Sequence, residues 1–595
     1  MKEGRRCFVY FPEEKEPSMP LNIYTGNRME NLVAALADHL KGAAAPLTPE
    51  TIVVQSRGMQ RWLAMELAKR LGVWANCTYP FPNAIVWRLF SLALPNIPET
   101  APPFPDVLAW KVMKVLGRGL EDEGFAALRH YLAGDSGGLK RYQLAKRIAD
   151  VFDQYTVFRP DMVAEWETAG SAGGECGWQA ILWREVVAGT EERHRGRLKE
   201  EFRRYLMTDA PLSSPLPERI SVFGVSYLPK YHLEILAAVA RKTVVNLYLL
   251  SPTREYWSDI MSRREKARLR PEESALRVEG NPLLASLGKL GRDFSDMVVE
   301  LAEGTAAETD LYEEPGEDSL LHQIQSDILN LSGAEEGVAR VPLDRDDHSV
   351  QIHSCHSPMR EIEVLHDHIL SFLDKESDIT PRDIVVMTPD IETYAPYITA
   401  VFDGDQDPSV KIPYSIADRC LRNEGRIAPV LLKLLDLPGS RFTAVLLFDI
   451  LGTVPVKKRF GLGDEDLDMI RGWLENTSIR WGIDEQTRIR LGLPAYRENS
   501  WRAGLDRLLL GYAMTAEGER LFLGLLPYDE IEGAPAQVLG RLIEFVNKID
   551  ALADNLLKPR RLDAWRRELL KILDDFMAAD DETAREIATI NATLA

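Results

Sequence analysis

No stretch of this 595-residue chain reads G-x-x-x-x-G-K-[ST], the loop that holds a triphosphate and its magnesium. The nearest run, Gly288-Lys289-Leu290, lacks both the upstream glycine and the hydroxyl. That absence counts against a phosphate-loop motor. No apolar run approaches the roughly 18–20 residues needed to span a bilayer, so a helical membrane protein is excluded. Met1–Pro20 is mixed charged and aromatic, without the apolar stretch of a secretory signal. Cysteine is scarce. Cys7, Cys77, Cys176, Cys355 and Cys420 lie far apart with no C-x-x-C pair, which suits a reducing cytoplasm and not a disulfide framework. No Ser-His-Asp order with a nucleophile-elbow glycine pattern occurs. Positive charge is also in deficit: 71 Lys and Arg against 91 Asp and Glu leave a formal charge of −20. Phosphate contacts need local cations, so a simple DNA-coating protein is excluded. The charge is unevenly placed, however. Lys111–Arg118, Lys140–Arg147, Arg193–Arg204 and Arg263–Arg270 are basic, and Glu300–Asp318 is acidic. These runs fit a basic internal channel inside an acidic shell, with solvated helix faces as the plain alternative.

What is present is a layout of strands alternating with helices. The apolar, β-branched runs Leu21–Tyr24, Thr51–Gln55, Ile220–Val225, Thr243–Leu250, Val350–Ser354 and Asp383–Thr388 read as strands. Helices are expected from near Asn27, over Met59–Leu71, between Ile220–Val225 and Thr243–Leu250, and over Glu361–Leu373. This alternation predicts an α/β protein built on parallel sheet. Five prolines in Pro95–Pro105 break regular structure and open a helical insertion reaching about Leu206, with glycine turns at Gly134–Gly138 and Gly170–Gly174. Arg254–Gly280 reads as a charged excursion, Glu300–Asp318 as a linker, and Val338–Asp347 as a domain boundary. From about Ile427 the chain is helical. The expected domains are an extension 1–20, an α/β domain in two parts (21–94 and 216–347) around the helical insertion 95–215, a second α/β domain beginning at 348–425, and a helical insertion 426–595. Asp581–Ala595 still has helical spacing without a cap, the pattern expected of a fragment.

Several tracts carry a family resemblance. They include Leu21-Asn22-Ile23-Tyr24-Thr25-Gly26-Asn27-Arg28, Val54-Gln55-Ser56-x-Gly58-Met59-x-x-Trp62-Leu63 and Phe152-Asp153-Gln154-Tyr155-x-Val157-x-Arg159-Pro160-Asp161. Gly280-Asn281-Pro282-Leu283-Leu284-Ala285, Cys355-His356-Ser357-Pro358, Ile479-Arg480-Trp481-Gly482-Ile483-Asp484 and Leu510-Gly511-Tyr512-Ala513-Met514 continue it in collinear order. The chain resembles the RecC (gamma) subunit family of exodeoxyribonuclease V from about Pro20 to Ala595. The resemblance implies superfamily 1 helicase-like parallel-sheet domains that lack the ATP site and carry large helical insertions. An inactive nuclease-like domain would follow in the full family length, of which about half is expected here. It also implies a non-catalytic DNA-binding subunit that splits duplex ends and threads the 3′ strand through a tunnel reading an octamer, Chi. The implied partners are RecB-like and RecD-like subunits, double-strand ends and the 3′ single strand. ATP and magnesium would be used by those subunits and not by this chain.

On that resemblance the reading residues are Gln55, Trp87, Asp150, Asp153, Gln154, Arg159 and Arg195, with Phe81 and Val151 at apolar positions. Gln and Arg can make bidentate contacts to base edges, and Asp accepts from exocyclic amines. Trp87 and Phe81 suit stacking on unpaired bases. Asp150, Asp153 and Gln154 share one helix face at i, i+3 and i+4, which suits a latch or base acceptor; a surface charge pair capping a neighbour is the plain alternative. Arg57 and Arg61 depart from the family, which has small or amide side chains at those two positions. Two added cations change base preference and phosphate affinity, so strand binding is expected here and reading of the same octamer is not carried over. His353, Cys355, His356, His366 and His368 lack finger-like spacing and read as packing residues; Asp464–Asp468 reads as a solvated acidic loop rather than a two-metal site. Trp62, Trp110, Trp166, Trp178 and Trp183 sit mostly at helical spacing with apolar residues and read as core. Two other functions compete. An active ATP-dependent helicase would hydrolyse ATP alone, and a structural adaptor would show no salt-dependent DNA binding.

Overall fold

A computed structural model describes residues 21–41, 48–97, 104–118, 123–135, 137–168, 177–188, 194–208, 211–268, 280–302, 306–332, 344–375, 378–404, 411–417, 425–514, 521–580 and 583–594. The expected extension at Met1–Pro20 and the turn at Gly170–Gly174 lie outside these residues, as do parts of the Arg193–Arg204, Arg263–Arg270 and Val338–Asp347 runs. The chain divides into two compact units, Met1–Gln351 and Ile352–Ala595.

The first unit is built on six strands: β1 (Leu21–Gly26), β2 (Glu50–Val53), β3 (Cys77–Thr78), β4 (Arg219–Phe223), β5 (Val244–Leu250) and β6 (Ala306–Asp310). Their order is β3-β2-β4-β5-β1-β6, and every pairing is parallel. Successive side chains point to opposite faces of a strand, and both faces here are apolar. Val53, Ile220, Val222, Val245 and Leu247 join one core, while Ile52, Val54, Phe223 and Tyr248 join another. That double burial is why the strands read as continuous apolar runs rather than alternating ones.

Ten of the described helices carry the crossovers and the insertion: α1 (Met29–Lys41), α2 (Arg57–Leu71), α3 (Pro82–Ala93), α4 (Phe104–Leu116), α5 (Ala126–Leu132), α6 (Leu139–Phe158), α7 (Pro160–Thr168), α8 (Gly177–Val187), α9 (Arg195–Leu206) and α10 (Lys230–Val239). The insertion has its own core around Phe125, Phe152, Trp166 and Trp183. Phe152 packs edge-on against Trp183 with ring centroids 5.3 Å apart. A partly buried ion pair, Lys199 Nζ to Glu234 Oε2 at 2.6 Å, ties α9 to α10.

The structure corrects several expectations. Glu300–Asp318 is not simply a linker, because it contains β6, which adds to β1 at the sheet edge. The sequence Ala-Ala-Glu-Thr-Asp has little strand character, and pairing with β1 places it. Val350–Ser354 and Asp383–Thr388 form no ladder. Pro381–Asp383 is a 3₁₀ turn capped by Thr380, and the rest is extended without strand partners. Ile352 and Met387 are 93% and 89% exposed. Two short strands alone make only a marginal sheet, and no third joins them among the described residues. The helix between them does form, over Pro358–Lys375. Trp110 is 54% exposed and is not core, whereas Trp166 and Trp183 are buried.

The second unit is helical from Ala428 onward around one large core. Trp501 is buried there and donates its indole N–H to the Phe442 carbonyl at 3.0 Å. Glu586 accepts backbone N–H bonds from Arg426, Ile427 and Ala428 at 2.8–3.0 Å, capping the helix Ala428–Leu435 from the helix Ala584–Leu594. Asp464 and Asp466 lie in the first turn of a helix, where negative charge complements the helix dipole. His366 is buried edge-on against Phe402, and His353 lies 4.4 Å from the His368 ring. Among the described residues no group of three or more His, Cys, Asp or Glu is placed to hold a metal. No described helix is long and apolar enough to cross a membrane.

Gly511, in the helix Trp501–Ala513, lets the backbone of Tyr528 approach; a Cβ there would stand 1.7 Å from the Tyr528 carbonyl oxygen. Gly511→Ala therefore destabilises the second unit by about 1–3 kcal/mol, to be read as an earlier urea midpoint with an unchanged slope.

Candidate nucleic-acid interface

The carboxyl ends of parallel strands all emerge on one edge, where ligands of α/β proteins ordinarily bind. Here that edge is closed on itself. The turn after β1, Gly26-Asn27-Arg28, meets the segment leaving β6. Asn27 Nδ2 donates to the Glu313 carbonyl at 2.8 Å, and Glu313 N–H donates back to Asn27 Oδ1 at 2.9 Å. Arg28 Nε lies 3.5 Å from Glu313 Oε2. A side chain on Gly26 would meet the Leu311 carbonyl oxygen at 2.9 Å. Beyond β2, Gln55 is tied to the β4–α10 connection. Its amide donates to the Tyr227 carbonyl at 2.7 Å and accepts from Ser226 N–H and Oγ at 3.2 Å. Gly224, with φ of +60°, lets this connection pass against Met29 and Met59.

Ser56 caps α2, accepting from Met59 N–H at 3.0 Å. Arg57 and Arg61 follow on the first turns, both exposed and without a charged partner among the described residues. A cation at a helix N-terminus opposes the helix dipole, and like charges at i and i+4 repel. Each effect is worth a few tenths of a kcal/mol, and an anion at this point would reverse both.

A second cluster lies where α6, α9 and α10 meet. Asp153 Oδ2 is 3.6 Å from Arg195 Nη1, with both side chains about four-fifths buried. Burial raises the Asp153 carboxyl above the ordinary range; the Arg195 guanidinium opposes this and Asp150 adds to it. Burial, reinforced by the Arg195 charge, lowers His232 to about 4. Neutral His232 places Nε2 3.0 Å from Asn83 Oδ1 of α3. Beside it, α9 is anchored by Glu167. Its carboxylate lies 2.8 Å from His194 Nε2 and 2.7 Å from Arg197 Nη2, and accepts from the Trp183 indole at 3.0 Å. Burial pushes the Glu167 carboxyl up, but His194, Arg197 and Trp183 outweigh it and hold it at about 2.

The residues expected to read a strand are therefore divided. Asp150, Asp153 and Arg195 come together in the second cluster. Gln55, Arg57 and Arg61 stand at the sheet edge, linked to that cluster through the β4–α10 connection. Phe81 is 43% exposed at the start of α3 and can stack. Trp87 cannot, because it is 7% exposed and packs in the core edge-on to Phe90. The α3 helix, placed against the sheet core, turns that ring inward. Val151 is half-buried, while Gln154 and Arg159 are exposed at the end of α6. Glu167, His194, His232 and Glu313 escaped the sequence reading. Only the adjacency of His194 to Arg195 hinted at any of them.

The geometry defines an α/β protein whose sheet edge is occupied by its own loops and flanked by exposed arginines and a largely buried charge cluster. The profile of the RecC N-terminal domain matches residues 21–331, and that of the RecBCD enzyme subunit RecC fourth domain matches residues 424–595. The RecBCD enzyme subunit RecC of Escherichia coli K12 is 36% identical over 616 residues, covering 96% of this chain and 54% of that protein. The subunits of the same name from Haemophilus influenzae and Mycolicibacterium smegmatis are each 32% identical, covering 94% and 96% of this chain and 54% of their own length. This chain belongs to the RecC family. It spans about half the length of the curated relatives it matches.

Glu167 carries a pH dependence of known sign. Its folded pKa lies at about 2, below the ordinary glutamate value of 4.5, so its contribution is complete above about pH 4.5 and fades as pH falls toward 2. Melting curves of wild type and Glu167→Gln should differ most at neutral pH and converge through that window. A gap that stays constant with pH would contradict this assignment.

Proposed function

We propose that this chain is a non-catalytic, DNA-handling subunit of a helicase–nuclease complex that processes double-strand ends for recombination. Its body is read as helicase-like without the motor. The observation that carries the reading is the turn after β1, where a motor of this layout would cradle phosphates. Here Asn27 is bonded to the Glu313 backbone, and the Glu313 carboxylate stands beside Arg28, so a triphosphate would meet a filled turn and a negative charge. ATP hydrolysis and strand cleavage are assigned to RecB-like and RecD-like partners, and this chain needs no nucleotide or metal of its own. A cytoplasmic location follows from that role.

In this reading the 3′ strand passes the sheet edge, with phosphates against Arg57 and Arg61 and a base on Phe81. The strand then reaches the Asp153–Arg195 pair, which serves as a latch, with Asp150, Gln154 and Arg159 around it. The closed edge gives the strand a fixed wall rather than a moving one. Gln55, with its oxygen bonded to Ser226 and one amide N–H to Tyr227, shapes that wall and has one N–H left for a base.

Forked DNA bound to the purified chain should show a log–log salt slope that falls by roughly 1.4 in Arg57→Ala/Arg61→Ala, about 0.7 for each single-strand phosphate that an arginine no longer neutralises. Binding that is absent or independent of salt would favour an adaptor. In the complex assembled with its partners, Asp153→Ala/Arg159→Ala should unwind duplex at the wild-type rate while its sequence-dependent pausing changes. Equal loss of unwinding on every sequence would refute the latch.

A further inference from the structure

We propose that α4 and α6 form a second binding surface for single-stranded DNA, on the helical insertion and separate from the sheet edge. Trp110, on α4, leaves about half of its surface in water. Its ring lies 5.5 Å from that of Tyr142 on α6, centroid to centroid, so the two make one aromatic platform. One turn along each helix stands a lysine, Lys114 on α4 and Lys146 on α6, both exposed. Residues four apart share a helix face, so these ammonium groups flank the platform. Neither has an acidic partner among the described residues. At the mouth of α6, Lys140 lies over the Tyr131 ring at 6.0 Å.

Three observations select the ligand. First, an exposed tryptophan forfeits the apolar burial that drives folding, and a base stacked on it restores that burial. Second, the first eleven residues of α6 hold Lys140, Arg141, Lys146 and Arg147 and no acid, in a chain whose net charge is −20. Asp106 is the acid on the α4 face, and it lies in the first turn of that helix. Third, Asp135 turns its carboxylate to the backbone N–H groups of Lys140 and Arg141, at 3.4 and 2.9 Å, and among the described residues neither side-chain cation has an acidic partner. Aromatic faces between unpaired cations match a polymer that alternates bases with phosphates. An acidic protein would satisfy the lysines but leave the platform uncovered.

The α4–α6 surface rests on the proposed DNA-handling role but uses residues away from the sheet edge, and one titration separates the two. Fluorescent oligo-dT is titrated into the full chain, into Trp110→Ala, into Trp110→Phe and into Lys114→Glu/Lys146→Glu. Trp110→Ala should weaken binding about tenfold, within the range of removing one stacked base, and Trp110→Phe should recover most of it. The lysine double variant should weaken binding and lower the salt slope by roughly 1.4. Each variant's melting temperature is measured alongside, and Lys114→Glu/Lys146→Glu decides the matter if Trp110→Ala fails to fold: wild-type affinity and salt slope in that variant overturn the surface. Wild-type binding that Trp110→Ala leaves unchanged overturns this surface and leaves the proposed function standing. A polyglutamate chain competing as well as oligo-dT also overturns it, since charge alone would then explain binding. Absence of any wild-type binding sinks both.

Discussion

Six strands that all run one way are the constraint from which the rest of the first unit follows. A parallel strand cannot be joined to the next by a hairpin, so the chain must cross the sheet each time, and helices are the compact way to do so. The crossovers bury both faces, which is why β4 and β5 are buried at nearly every position. They also collect every strand's carboxyl end on one edge. Whatever this molecule presents to a ligand along its sheet is decided there, by loops and helix starts rather than by the strands.

That edge has been closed by polar bonding rather than left as an empty cleft. Asn27 and Glu313 exchange backbone-to-side-chain bonds across 286 positions of sequence. Gln55 does the same with the β4–α10 connection across about 170. Each bond takes up a donor or acceptor that would otherwise face a ligand. These bonds are solvent-exposed, so each contributes only about 0.5–1.5 kcal/mol net, and together they hold the loops closed against one another. In the proposed role the edge is a wall set by these loops, and contact with a strand falls to long exposed side chains such as Arg57, Arg61 and Arg159.

How much of this was legible follows from how local each signal is. β4 and β5 were visible because β-branched runs bounded by turns need no partner to be recognised. The same local pattern misled at Val350–Ser354 and Asp383–Thr388, where strand character is present and ladder partners are not. β6 failed in the opposite way: Ala306–Asp310 is alanine and acid, and only its neighbour β1 makes it a strand. Helical spacing could not tell Trp110 from Trp183, because both recur with apolar residues and the difference lies in which face meets the insertion core. The inward turn of Trp87 was hidden for the same reason. The Asp153–Arg195 pair and the Glu167 anchor join residues sixteen to forty-two positions apart through helix packing that no periodicity reports. The residues themselves were legible, Asp153 and Arg195 among them, but their pairing was not.

The net charge of −20 raises a real objection to binding a polyanion, and its resolution is a matter of distance. At physiological ionic strength charges are screened beyond about 8 Å, so most of the acidic surface contributes little at any one contact. What counts is the balance within a screening length, and several acids of this unit are committed to cations of their own. Glu50 holds Arg219 with two bonds, Glu167 holds Arg197, Glu234 holds Lys199, and Glu300 holds Lys230. These pairs join one element to another, so acid in this unit goes into assembly. The cations left over fall on helix starts and helix faces, at Arg57 and Arg61 and again at Lys114 and Lys146. In the proposed role such a protein does not attract DNA from afar; it holds a strand only when that strand is delivered to the surface. That is the behaviour expected of a fold that guides a polynucleotide driven by something else, and it is why the acidic composition and the nucleic-acid role are compatible.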